Sequence, residues 1–188
     1  MNKKQEIYDK ALELFLEQGY DHTALSRIAE SLNITKAGLY HYFKSKEDIL
    51  ALISEQGVAQ DFVPILDASE KIQDPEERLK FFIRNYTTKI LTRDPTVRLA
   101  IHEMKRLKPV HQKKILKEWR RCLDLVRNTI SELDERGRIV KVNKTYAAFA
   151  LIGMCTWTIY WFDYRRRESA EELADTYVKL FLNGLLKK

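Results

Sequence analysis

Apolar residues recur three and four positions apart along almost the whole chain, and nowhere do they alternate long enough to suggest a strand. Residues 2–18 open this pattern with Ile7, Ala11, Leu14 and Phe15, and Gly19 ends the first predicted helix. Between Thr23 and Lys46 the helices become short. Ile28, Ala29 and Leu32 mark one, Leu39 and Phe43 mark the next, and Ile34 tucks inward at the turn between them. Thr23 and Thr35 stand where helix caps are needed. Ser45 caps a fourth helix, with Glu47 and Asp48 favouring its positive end. That helix continues through Leu50, Leu52 and Ile53 towards Ile65, with Gly57 and Pro64 placed to bend or divide it.

The second half follows the same period. Asp74-Pro75-Glu76-Glu77 combines a capping Asp, a first-position Pro and acids in the first turn, ahead of Leu79, Phe82, Ile83 and Tyr86. Asp94-Pro95 repeats that chemistry before Val97, Ile101 and Met104. Pro109 begins a long helix that Gly137 closes. Thr145 to Tyr164 is the most apolar helix, and Ser169 with Glu172 forms a capping box for the last. The expectation is an all-α fold of about nine helices. A helix-turn-helix head (residues 1–46) would stand on a helical body (residues 47–188).

In a helix-turn-helix the second helix lies in the DNA major groove. Here its exposed face would carry Thr35, Lys36, Ala37 and His41 within reach of base edges, Lys36 towards guanine and Ala37 towards a thymine methyl. Arg27, Lys44 and Lys46, with the hydroxyls of Thr23, Tyr40 and Tyr42, would hold phosphates. Gly38 and Ala29 are small where helices or a partner surface approach. Asn33 tolerates the left-handed backbone that the turn requires. The plainer reading is an ordinary helical subdomain with Tyr40, Tyr42 and Phe43 in its core.

Composition narrows the setting. The 188 residues are 45% hydrophobic and 32% charged, as in a soluble globular protein. No run of eighteen uncharged apolar residues occurs, so no membrane partner is expected. Two cysteines without a Cys/His cluster indicate neither a disulfide framework nor a zinc site. The N-terminus lacks a signal peptide's apolar core, which points to the cytoplasm. The net charge of +6 is not concentrated in the head. A dense basic run lies instead at Lys105, Arg106, Lys108, Lys113, Lys114, Lys117, Arg120 and Arg121, and another at Arg165-Arg166-Arg167.

The stretch from Ile28-Ala29-Glu30 through Thr35-Lys36-Ala37-Gly38-Leu39-Tyr40-His41-Tyr42-Phe43 to Lys46 resembles the signature of TetR-family transcriptional repressors. Asn33 departs from the usual Gly but keeps access to a positive φ. The resemblance covers about the first quarter of the chain. It implies a homodimer on a palindromic operator in double-stranded DNA, with a small hydrophobic effector in the body and no resident cofactor.

An all-round apolar helix must be covered on every side. The last two helices therefore suggest a two-fold dimer, with Tyr160, Leu173, Tyr177, Leu180 and Phe181 at its interface. Phe82, Tyr86, His102, Met104, Trp119, Met154, Trp157 and Trp161 are the candidate effector contacts, although each alone also suits plain core. The segment around Trp157 and Trp161 resembles the acyl-CoA-sensing, FadR-like subgroup, with Thr156 where Asn is usual. An acyl-CoA needs an apolar slot and cations for its phosphates, for which Arg106, Lys113 and Arg120 stand nearby in sequence. An aromatic or cationic drug-like effector controlling an efflux gene stays open, as does a protein-interaction scaffold. An enzyme is disfavoured, because no nucleophile elbow, phosphate loop or metal-ligand spacing occurs.

Overall fold

A computed structural model describes residues 2–91, 96–162 and 169–186. Among them the chain forms ten α-helices, and the only β-type pairing is an isolated bridge between Ile139 and Leu186. The helices are α1 (Lys3–Gln18), α2 (Leu25–Ser31), α3 (Lys36–Tyr42), α4 (Lys46–Gly57), α5 (Val63–Glu70), α6 (Pro75–Ile90), α7 (Thr96–Glu103), α8 (Pro109–Glu135), α9 (Lys144–Trp157) and α10 (Ala170–Leu185). A π turn over Val58–Phe62 joins α4 to α5. Counted as one rod, that pair leaves the nine helices of the sequence reading.

Most helix ends follow from single residues. Gly19 ends α1 at φ 84°, and Gly137 ends α8 at φ 67°. Asp74 accepts from the backbone N–H of Glu76 and Glu77 to start α6, and Ser169 and Glu172 complete the capping box of α10. The π turn lies just ahead of Pro64, whose ring nitrogen cannot donate to the preceding turn. Gly57 does not act as a hinge. A Cβ there would lie 2.8 Å from Thr96 Cβ, so the glycine permits a close crossing of α4 with α7. Helix α9 stops at Trp157, short of the expected Tyr164. Its continuation tightens to a 3₁₀ turn where the buried Thr158 hydroxyl donates to the Cys155 carbonyl at 2.6 Å. The expected helix start at Asp94-Pro95 and the basic run Arg165–Arg167 lie outside the described residues.

Packing divides the chain into two compact units, residues 1–59 with 94–116, and residues 60–93 with 117–188. This differs from a division at residue 46, because α4, α7 and the first turns of α8 pack with the head. The first unit centres on Ile7, Phe15, Ile28, Leu39, Ile49 and Ile53, all nearly inaccessible to solvent. In the second, α6 packs against α5, α9 and α10, with Leu79, Phe82, Ile83 and Ile90 buried. The helix Lys46–Glu70 is long and apolar enough to cross a membrane by length and composition, but half of that window is buried inside the fold.

Candidate nucleic-acid interface and effector region

The head takes its shape from one strained residue and two hydroxyls. Asn33 adopts φ 52°, which turns the chain between α2 and α3. The turn is closed by Ile34 N–H donating to the Ala29 carbonyl at 3.0 Å. Thr35 caps α3, its hydroxyl accepting from Gly38 N–H at 3.0 Å. A Cβ at position 38 would crowd that same hydroxyl at 3.3 Å, so Gly38 serves the cap as well as the surface. Only Leu39 of α3 is fully buried. Lys36, Ala37, Tyr40 and His41 are exposed together on its outer face, which excludes Tyr40 from the core. Lys36 lies 5.9 Å from the centre of the Tyr40 ring.

Two expected phosphate contacts are placed otherwise. Thr23 is completely buried, and its hydroxyl donates to the carbonyls of Gly19 at 2.9 Å and Leu14 at 3.2 Å. It fastens the end of α1 to the start of α2 and cannot meet DNA. Nor does it cap α2, whose N-cap is Ala24. Lys46 donates to the carbonyls of Tyr20 at 2.7 Å and Asp21 at 3.3 Å, above the Tyr20 ring. Partial burial lowers its pKa. Two of its three donors are thus committed within the chain. Arg27 and Lys44 remain exposed. Arg27 holds Glu30 only at 4.0 Å, and Lys44 bonds the Tyr40 carbonyl at 3.2 Å.

The sequence reading missed Lys4. It lies 5.7 Å from the centre of the Phe43 ring, and with Tyr42, Lys44, Asp48, Glu55 and His111 it lines a groove of about 300 Å³. Nearly forty residues separate Lys4 from Tyr42, so no local motif links them.

Much of the basic run after residue 104 is already paired. Arg106 bonds Asp21 and Glu103 and lies 5.6 Å from the centre of the Tyr20 ring. Lys108 bridges Glu47 at 2.8 Å and Asp48 at 3.0 Å, and its pKa rises to about 12 through those carboxylates. His111 and Lys114 both reach Glu55, at 2.6 and 2.9 Å. These pairs tie residues 106–114 to α4 and to the α1–α2 loop within the first unit. In the second unit Arg121 is held by Asp67 and Glu70, and Arg78 by Glu132. A groove of about 610 Å³ there is lined by Glu70, Arg78, Arg121 and Glu132 with Lys117, Arg120, Asp124, Leu125 and Asn128. Its Asp124 is paired with Arg127 at 2.8 Å.

The expected effector residues are divided between the two units and differ in burial. Phe82 and Tyr86 are buried and stacked at 5.2 Å, Phe62 lies 5.5 Å from Tyr86, and the Tyr86 hydroxyl meets Thr156 Oγ1 at 2.9 Å. Burial raises the pKa of Tyr86, and it lifts the thiols of Cys122 and Cys155 to about 12 and about 11. Trp119 and Met154 of this unit are half-buried. His102 and Met104 belong to the other compact unit, His102 exposed and Met104 half-buried. Trp157 and Trp161 are 64% and 52% exposed, so they do not line a buried slot within the chain. Trp157 packs on Tyr160 at 4.7 Å. Of the expected interface residues, Tyr160 and Leu180 are exposed, while Leu173 and Phe181 are half-buried. Tyr177 is only 8% exposed, so its expected outward position is corrected: it faces the core of its own unit.

Comparison with known proteins agrees with this geometry. Residues 7–57 match the family described as bacterial regulatory proteins, tetR family, and residues 73–185 match the tetracyclin repressor-like C-terminal domain. The biofilm operon icaADBC HTH-type negative transcriptional regulator IcaR of Staphylococcus aureus (strain Newman) is 54% identical over 46 residues, 24% of this chain and 25% of its own. The chain thus spans about a quarter of the length of that relative. Among solved structures, AibR in complex with isovaleryl coenzyme A and operator DNA has a TM-score of 0.87 and 28% identity, over 96% of this chain and 99% of its own. The regulator PfmR of Thermus thermophilus has a TM-score of 0.85 and 30% identity, over 95% and 97%. The ketosteroid regulator KstR2 of Mycobacterium tuberculosis shares the fold, with a TM-score of 0.86 at 19% identity.

Proposed function

We propose, for a chain that belongs to the TetR family of transcriptional regulators, that it is a dimeric repressor which an acyl-CoA thioester releases from operator DNA. Membership makes it a DNA-binding regulator rather than an enzyme. Such a regulator acts where the chromosome is, in the cytoplasm. The observation that carries the reading is the outer face of α3: Lys36, Ala37, Tyr40 and His41 exposed side by side on a helix fixed by Asn33 and the Thr35 cap. Base edges would meet Thr35, Lys36, Ala37 and His41, and phosphates would meet Arg27, Tyr40 and Lys44.

The effector class rests on likeness to AibR, whose solved complex holds isovaleryl coenzyme A and operator DNA, and on the second unit's own chemistry. The buried cluster of Phe62, Phe82 and Tyr86 would supply an apolar wall. For the phosphates we favour Lys117 and Arg120 over the expected Arg106, which Asp21 and Glu103 already hold in the other unit. The three acids in the 610 Å³ groove beside Lys117 and Arg120 are each paired, which leaves that wall attractive to an anion.

The test begins with a duplex selected from random-sequence DNA, bound by the purified protein and followed by fluorescence anisotropy. Acyl-CoA thioesters of increasing chain length should then release it. Each buried CH₂ is worth about 0.8 kcal/mol, so two more methylenes should tighten binding roughly tenfold until the slot is full. Free fatty acid should act more weakly, because it cannot use the phosphate cations. Equal response to free CoA, or no dependence on chain length, would remove the acyl-CoA reading and leave the repressor.

A further inference from the structure

We propose that Lys4, together with Tyr42 and Lys44, forms an additional seat for the DNA backbone, one phosphate per subunit, beside the recognition helix. The inference rests on the repressor reading and adds a contact from a part of the chain that the helix-turn-helix does not include. Lys4 belongs to the first turn of α1, outside α2 and α3. Its ammonium is held 5.7 Å from the Phe43 ring centre, and it shares a groove wall with Tyr42 and Lys44. Neither lysine is joined to a carboxylate by any ion pair described for the chain. Lys44 spends one donor on the Tyr40 carbonyl at 3.2 Å and keeps two. Tyr42 is 40% exposed and adds a phenol to the same groove lining. Two cations and a hydroxyl lining one cleft are the donors that a phosphodiester takes.

The rest of the groove would weigh against an anion if its acids were free. They are not. Asp48 is bridged by Lys108 at 3.0 Å, and Glu55 is held by His111 at 2.6 Å and Lys114 at 2.9 Å. Lys4 and Lys44 are therefore the cations of the groove lining that no described ion pair engages. The groove's position is also fixed. Thr23 bonds two carbonyls at the end of α1, so the helix carrying Lys4 is fastened to the start of α2. A phosphate seated there would set how far α3 enters the major groove.

The experiment compares the full-length wild type with Lys4→Ala and Lys4→Arg. Each is titrated with the selected duplex and with a random-sequence duplex, across a series of salt concentrations. Lys4 is exposed, so its replacement leaves the fold intact. Loss of one cation from each seat should make the plot of log affinity against log salt measurably shallower, by at most about two per dimer. Lys4→Ala should weaken both duplexes by the same factor, and Lys4→Arg should stay close to wild type. An unchanged salt slope for Lys4→Ala, or a loss confined to the selected duplex, would overturn the seat while the repressor reading stands. A wild type that binds neither duplex would overturn both.

Discussion

Single residues decide the head. Asn33 holds a left-handed backbone that costs most L-residues about 1–2 kcal/mol. Asn33→Gly should leave stability within a few tenths of a kcal/mol, while Asn33→Ala should lose about 1 kcal/mol in urea unfolding. Thr23 tests a different assignment. Its buried hydroxyl closes two carbonyls of α1, so Thr23→Val should cost about 1–2 kcal/mol and leave the salt dependence of DNA binding unchanged. A threonine that held a phosphate would do the reverse, changing the slope and sparing the fold. The turn residue was legible in the sequence because Asn is one of few residue types suited to a positive φ. Thr23 was misread because a threonine ahead of a short helix fits a cap, and only the packing of α1 against α2 shows that it points inward.

At the scale of elements, residues 106–114 change the meaning of the basic run. From sequence these cations were indistinguishable from a phosphate-binding face, since their acids lie some fifty to eighty residues away, at Asp21, Glu47, Asp48 and Glu55. The pairs carry a pH signature. Burial alone would raise the carboxyl pKa of Asp48 and Glu55. Hydrogen bonds from Lys108 and Ser45, and from His111 and Lys114, outweigh it and hold both below the ordinary range. A carboxylate whose folded pKa lies below its unfolded one stabilises the protein fully above the unfolded value. That contribution disappears as pH falls through the folded value. Stability measured by urea unfolding should therefore hold above about pH 5 and decline below about pH 4. Glu55→Gln should start lower and decline less steeply over that interval. Equal slopes for variant and wild type would show that the Glu55 cluster contributes nothing in solution. Helix periods and most caps, Thr23 excepted, are by contrast readable among the described residues, because each depends on neighbours within four positions. The early end of α9 was not, because Thr158 resembles any other helical threonine until its hydroxyl is seen on the Cys155 carbonyl.

For the whole molecule, the open question is what covers the outer faces of α9 and α10. Tyr146, Phe149, Trp157 and Tyr160 follow one another at helical spacing, each more than half exposed, and Leu180 on α10 is 62% exposed. Gly153 and Gly184 are exposed on the same helices, with nothing within 4 Å of where a side chain would begin. Apolar residues interspersed with small ones allow two helices to approach closely, and a second copy related by a two-fold axis would cover them. The buried position of Tyr177 selects the variant. Tyr177→Glu would place a charge in the core of its own unit and disturb folding whether or not a dimer exists. Leu180→Glu adds a charge to a side chain that is already exposed within one chain, and becomes costly only if a partner buries it unpaired. The wild type should sediment as a dimer at micromolar concentration, and Leu180→Glu as a monomer with its helical circular dichroism retained. On DNA the monomer should keep weak, sequence-independent binding through its single head. It should lose the affinity that comes from two recognition helices set about 34 Å apart in successive major grooves. A Leu180→Glu protein that remains dimeric would move the interface elsewhere, and a monomeric wild type would remove the basis for a two-half-site operator.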